Sequence, residues 1–292
     1  MPPKNLLREP LRSFKPYVVG KPIDDVRREY GLTGRIAKMA SNENPLGTSP
    51  LALEAMRRAV EDVSFYPDDN AFYLREKLAR RHQVRPENIL IAAGSVELIE
   101  LAGWAFLNAG DGVVTSEKTF AMYSLAAAKA GARFTAVPMR DGGYRYDLPA
   151  IAAAIDERTK IVFLANPTNP TGTWFTRAEF DAFMDAVPED VLVVYDAAYE
   201  EYITVADMPR PMEHLGRGRR IAVLRTFSKI YGLAGIRIGY GFAPEDIVQG
   251  IGTCRVPFNA NLVAQAAALG ALEDADFVTR SRDHNSAELA FL

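Results

Sequence analysis

Residues 221–241 read Ile221-Ala222-Val223-Leu224-Arg225-Thr226-Phe227-Ser228-Lys229-Ile230-Tyr231-Gly232-Leu233-Ala234-Gly235-Ile236-Arg237-Ile238-Gly239-Tyr240-Gly241. An apolar strand over 221–224 runs into a hydroxyl and an amine, Ser228 and Lys229. A glycine-rich turn follows, and a second strand over 236–241 carries Arg237 near its start. A lysine at such a junction is partly desolvated, which lowers its pKa and makes its amine nucleophilic. Ser228 and Arg237 add a neutral and a charged donor, a pairing suited to phosphate. Taken alone, the stretch reads equally well as a surface lysine on a tight turn. The decision rests on what the other strand ends carry.

Outward from this stretch, strands and helices alternate. Short apolar strands are expected at 89–92, 112–115, 133–137, 161–164 and 191–195, besides the pair already quoted. Helical patterns fall at 23–30, from about Ser49 onward, and at 96–108, 120–130, 148–155 and 176–186. Ser49 reads as an N-cap with Pro50 at the first helical position. Near-continuous Val/Ile/Leu strands alternating with helices predict an α/β fold, a three-layer sandwich around a mainly parallel sheet. Such sheets bind ligands beyond the carboxyl ends of their strands. From 244 the pattern is helical, at 244–252, 259–272 and 274–292, and the last helix is still amphipathic at Leu292, without cap or turn. We read that end as a cut.

The totals narrow the class. The 292 residues allow one large domain, or one domain and part of another. With 48% hydrophobic and 24% charged residues the chain is an ordinary globular one. A net charge of −3 and a pI of about 5.8 give no electrostatic case for nucleic acid or an anionic membrane. A lone cysteine, Cys254, excludes an internal disulfide and fits a reducing, cytoplasmic compartment. His82, His214 and His284 are too widely spaced to form a metal constellation. No apolar run reaches the roughly 20 residues that span a bilayer, and residues 1–22 lack the apolar core of a signal peptide.

The strand ends carry complementary chemistry. The strand at 191–195 ends in Asp196, with Tyr199 three residues on; the acid reads as a helix cap or as a partner for a pyridinium nitrogen. After 161–164 comes Asn166-Pro167-Thr168-Asn169-Pro170-Thr171-Gly172, which reads as a plain turn or as a rigid loop whose Asn166 donates to a phenolate oxygen. After 89–92, Ser95 and the bare amide of Val96 open a helix, as an N-cap or as an anion site. Phe120 lies before another helix, as core or as a ring that stacks on a cofactor. An amine, a carboxylate, an amide donor, a phenol and a phosphate cup on one sheet edge are the inventory that pyridoxal phosphate requires.

Ser41-Asn42-Glu43-Asn44-Pro45-Leu46-Gly47, Tyr66-Pro67-Asp68, the Asn166–Gly172 run, Asp196-Ala197-Ala198-Tyr199 and Thr226-Phe227-Ser228-Lys229 resemble motifs of the fold-type I, class II aminotransferases. Within these the chain is most similar to the subgroup acting on histidinol phosphate, which the arm Pro16-Tyr17-Val18-Val19-Gly20-Lys21-Pro22 also resembles. The resemblance implies pyridoxal phosphate held covalently by Lys229. It places Asp196 at the ring nitrogen and Asn166 and Tyr199 at the ring oxygen. Phe120 would stack, where many members have Tyr, and Ser95, the Val96 amide, Ser228 and Arg237 would bind the phosphate. Tyr66 would reach the neighbouring subunit's phosphate, which implies a homodimer, and Tyr17 and Asn44 would face the substrate. The implied reaction is amino transfer from histidinol phosphate to 2-oxoglutarate in histidine biosynthesis. An aromatic amino acid aminotransferase, a phosphothreonine-type decarboxylase and a cofactor-binding but inactive remnant are the alternatives. The implied domains are an arm over 1–35, a large cofactor-binding domain over 36–272 and the start of a small domain over 273–292. Family members continue for several tens of residues, into the region of the arginine that grips the substrate carboxylate.

Overall fold

The computed structural model describes residues 6–12, 14 and 20–292. Seven strands form one sheet: β1 (Ile89–Ala92), β2 (Gly112–Ser116), β3 (Arg133–Val137), β4 (Thr159–Ala165), β5 (Leu192–Asp196), β6 (Ile221–Thr226) and β7 (Gly239–Phe242). Their spatial order is β1-β7-β6-β5-β4-β2-β3. All neighbours from β6 to β3 pair in parallel, whereas β7 is antiparallel to both β1 and β6. The expected mainly parallel sheet is present, with one reversed strand inside it.

Residues along each central strand alternate between two buried cores. Val162, Leu164, Val193, Tyr195, Ile221 and Val223 face one layer; Ile161, Phe163, Leu192, Val194, Ala222 and Leu224 face the other. That is why these strands read as continuous apolar runs. Three helices cover the second face: α4 (Ser95–Phe106), α5 (Met122–Ala130) and α9 (Glu245–Cys254). The first face takes α2 (Pro50–Ala59), α3 (Phe72–His82), α6 (Leu148–Ala153), α7 (Arg177–Ala186), α8 (Pro211–Gly216) and α10 (Leu262–Ala271). The sandwich has three layers, as expected. Outside them, α1 (Ile23–Tyr30) has no buried residue, and the first turns of α11 (Ala275–Phe291) bury Phe277, Val278 and Ser281. None of the described helices is long and apolar enough to cross a membrane.

The caps follow local chemistry. Thr176 and Glu179 form a capping box on α7, and Ser49 accepts from the Ala52 amide at the start of α2. Asp274 caps α11 through the Phe277 amide and also accepts from the Ser49 hydroxyl at 2.7 Å, which ties α11 to α2.

Candidate active site

Lys229 stands on the turn that leaves β6. Phe227, Ile230 and Tyr231 are buried in the core, so Ser228 and Lys229 face the opposite way, into a cavity of about 390 Å³. The turn closes through the Gly232 amide on the Lys229 carbonyl (3.0 Å). Gly232 has φ +69°, and a Cβ there would lie 1.9 Å from the Gly47 carbonyl oxygen, so only glycine permits this contact. Further bonds from Thr48 to the Gly232 carbonyl (2.8 Å) and from Asn44 to the Ile230 carbonyl (2.8 Å) lay the 41–49 segment against the lysine turn. Lys229 Nζ consequently donates to the Ser41 carbonyl at 2.9 Å and lies 5.5 Å from the centre of the Tyr199 ring. Burial pushes the Lys229 pKa down, Arg237 adds to the fall, and Glu43 and Asp196 oppose it.

Asp196, the last residue of β5, is 5% exposed and lines the same cavity. Burial pushes its pKa up, against hydrogen bonds from the Tyr123 hydroxyl (2.9 Å) and the Ala198 amide (3.1 Å). Burial also holds the Tyr123 hydroxyl far above its ordinary pKa, so it stays a donor to the carboxylate. Tyr199 follows on the same loop, and its hydroxyl accepts from the Asn42 side chain at 3.0 Å.

Opposite them lies an anion cup. The end of β1 leads through Gly94 into α4, whose first residues Ser95 and Val96 line the cavity. Because β7 is reversed, the residues before it reach the edge where the parallel strands end. This brings Arg237 beside Ser228, which accepts from its guanidinium at 3.3 Å. Arg237 was expected at the start of a strand; it lies before β7, at φ +61°, after a short 3-10 turn at Ala234–Ile236. Gly94 has φ +95°, and a Cβ there would lie 2.6 Å from an Arg237 terminal nitrogen. The cup therefore combines a guanidinium, two hydroxyls and a helix N-terminus, a set suited to a phosphate monoester.

The structure thus brings together Lys229, Asp196, Tyr199, Ser95, Val96, Phe120, Ser228 and Arg237 around one cavity. Two asparagines are placed otherwise than expected. Asn166 is fully buried; its amide donates to the Phe175 carbonyl (3.2 Å) and the Tyr195 hydroxyl (3.0 Å), and its oxygen accepts from the Phe175 amide (3.0 Å). Its hydrogen bonds are spent on holding the loop, and Asn169 lines the cavity in its place. Asn44 likewise turns away from the expected substrate side, to the Ile230 carbonyl, the Ser281 hydroxyl (2.9 Å) and the Leu46 amide (3.0 Å), while Asn42 and Glu43 line the cavity. Tyr66 is 81% exposed, does not line this cavity and stacks on Phe258. Tyr17 lies outside the described residues.

Tyr123 was missed in the sequence. Its signal was faint: it sits three residues after Phe120, one helical step along the same face, and the two rings meet edge to face at 5.9 Å. Glu43 and Asn169 were visible inside motifs without any mark of which side chain faces inward.

A desolvated amine, a buried carboxylate and an anion cup around one cavity at a sheet edge define a pyridoxal-phosphate-dependent transferase, and the cup and the buried acid fit that cofactor's phosphate and ring nitrogen. Comparison with known proteins agrees. The family model for aminotransferase class I and II matches residues 35–291, and the chain belongs to this family of pyridoxal-phosphate-dependent transaminases. It is 46% identical over 280 residues to histidinol-phosphate aminotransferase of Moorella thermoacetica, covering 96% of this chain and 72% of that one. It is 51% identical over 273 residues to the protein of the same name from Anaeromyxobacter, covering 92% and 74%. The crystal structure of histidinol-phosphate aminotransferase from Sinorhizobium meliloti in complex with pyridoxal 5'-phosphate superposes with a TM-score of 0.84 at 33% identity, covering 95% of this chain and 73% of that one.

Proposed function

We propose that this chain moves the amino group of histidinol phosphate to 2-oxoglutarate, with the residues around the Lys229 cavity holding pyridoxal phosphate. The observation that supports it is the placement of Lys229, Asp196 and the Ser95–Ser228–Arg237 cup around one cavity; the amine is taken from the relatives' shared name. When bound, the cofactor supplies a reactive carbonyl and an electron-withdrawing ring.

Everything else falls to the protein. Lys229 would hold the carbonyl end; its depressed pKa keeps more of Nζ neutral, and the free Nζ would be the base for the proton on the amine-bearing carbon. Asp196 would hold the ring nitrogen, its carboxyl kept in orientation by the Tyr123 hydroxyl and the Ala198 amide. Asn169 and Tyr199 are assigned to the ring oxygen, Phe120 to the ring face, and Ser95, the Val96 amide, Ser228 and Arg237 to the phosphate. Tyr66, pointing out of its own subunit, serves the partner subunit's phosphate in a homodimer. Tyr17 is assigned to the substrate side on the resemblance alone. Residues 36–272 make the cofactor-binding domain, from which the helix over 275–291 leads out, and the free thiol of Cys254 supports a cytoplasmic setting.

The test is turnover of three amines by the cofactor-loaded chain with 2-oxoglutarate. Histidinol phosphate should exceed phenylalanine and threonine phosphate by at least about tenfold in kcat/KM, a modest 1.4 kcal/mol of discrimination. Equal turnover of phenylalanine, or release of carbon dioxide from threonine phosphate, would replace this substrate assignment.

A further inference from the structure

Tyr66 sits at the tip of a loop whose base is held by an unusual set of bonds. Asp68 accepts from the Asn70 amide (2.9 Å) and the Phe72 amide (2.8 Å), which fixes the start of α3. Asp69 points the other way. Its two oxygens take both terminal nitrogens of Arg255 (2.9 and 2.5 Å), and Oδ1 also accepts from the Phe258 amide (2.5 Å). These contacts hold the Asp69 pKa down, the Arg255 hydrogen bond first and the Phe258 amide next. Phe258 is kept at φ +60°, a conformation that costs an aromatic residue energy and persists only where its surroundings impose it. The result is a ring lying nearly parallel to that of Tyr66, 4.6 Å between centres and 20° between planes.

The same network continues to the anion cup. Arg255 donates to the Asn259 side-chain oxygen (2.8 Å), and Asn259 donates to Oε2 of Glu97 (2.7 Å). Glu97 Oε2 in turn accepts from the Ala93 amide (2.5 Å), at the threshold of Ser95 and Val96. A loop that only closed a surface turn would need neither a bidentate arginine nor a strained phenylalanine.

We propose that Asp69 is a positioning residue: through Arg255 and the Phe258 amide it sets the Phe258 ring, and that ring aims Tyr66 at the partner subunit's phosphate. This rests on the homodimer reading above. Asp69 touches no reacting group; the route proposed for it runs through Phe258 to Tyr66. Its removal therefore weakens cofactor binding by way of Tyr66 and adds nothing once the Tyr66 hydroxyl is gone.

The experiment is a double-mutant cycle on the full chain. Wild type, Y66F, D69N and the D69N/Y66F double variant are compared for pyridoxal phosphate dissociation constant and for sedimentation of the apoproteins. All four are expected to sediment as dimers, with Y66F and D69N each weakening the cofactor about tenfold, the scale of one hydrogen bond to a charged group. The double variant is expected to be no weaker than the weaker single one. F258L removes the stacked ring and leaves the Asp69–Arg255 pair; it should repeat the result if D69N does not fold. Dimers in which Y66F weakens binding but D69N and F258L do not, or in which the losses multiply to about a hundredfold, would overturn the positioning role alone. A monomeric wild type, or a dimer indifferent to Y66F, would overturn it together with the cross-subunit reading.

Discussion

The Tyr123 hydroxyl donates to Oδ2 of Asp196 across 2.9 Å, and both residues are buried. This bond works against burial, which raises the Asp196 pKa above 3.8. A carboxyl raised in the folded state contributes stability below its unfolded pKa and loses it as pH rises through the folded value. At neutral pH the buried Asp196 carboxyl therefore costs the apoprotein stability. D196N should raise the apoprotein Tm at pH 7 by about 2–4 °C, the effect of ~1 kcal/mol in a chain of this size, and the gain should vanish near pH 4. The same variant should be essentially inactive. A gain independent of pH would contradict the assignment.

Y123F should act in the opposite sense. Without the hydroxyl the carboxylate loses a charge-assisted bond, a stability cost of about 1.5–3 kcal/mol, and its pKa climbs further. Expected are a lower apoprotein Tm at pH 7 and a reduced kcat, read from thermal melts and steady-state rates. Unchanged values of both would show that the bond does nothing.

Two charges pull the Lys229 amine in opposite directions, Arg237 lowering its pKa and Glu43 raising it. Because the neutral amine is the nucleophile, the rate at which the apoprotein captures pyridoxal phosphate should rise with pH. E43Q should move the midpoint of that profile to lower pH and R237Q to higher pH. The midpoint is the quantity to compare, since R237Q also loses a phosphate donor. Shifts of the same sign in both variants would remove the electrostatic explanation.

The two asparagines of the 166–172 loop should separate cleanly. N166A leaves the Phe175 amide and carbonyl without their partner and should cost about 1–3 kcal/mol of stability, while the absorbance of the bound cofactor keeps its position. N169A should leave Tm nearly unchanged and shift that absorbance or weaken cofactor binding. The reverse pattern would return the ring-facing role to Asn166.

That reversal shows where the sequence was legible. The strands stood out because both faces of β4, β5 and β6 are buried, and Lys229, Asp196, Ser228 and Arg237 because each sits at a break in an apolar run. Asn166-Pro167 and Asn169-Pro170 present the same dipeptide twice, and only the fold decides that one amide meets Phe175 and the other the cavity. Asn44 failed for the same reason, its bonds to Ile230 and Ser281 lying 186 and 237 residues away. The helix α3 was missed because its buried stripe, Leu74, Leu78 and Ala79, is set among Arg75, Lys77, Arg80 and Arg81. The reversal of β7 leaves no mark in composition, yet it delivers Arg237 to the cup.

The most direct test of the central claim locates the cofactor on the chain. The pyridoxal-phosphate-loaded protein is reduced with borohydride, digested and mapped by mass spectrometry. The added mass should fall on the peptide containing Lys229 and be absent from K229A. Label on another lysine such as Lys118, or an undiminished label in K229A, would contradict the account.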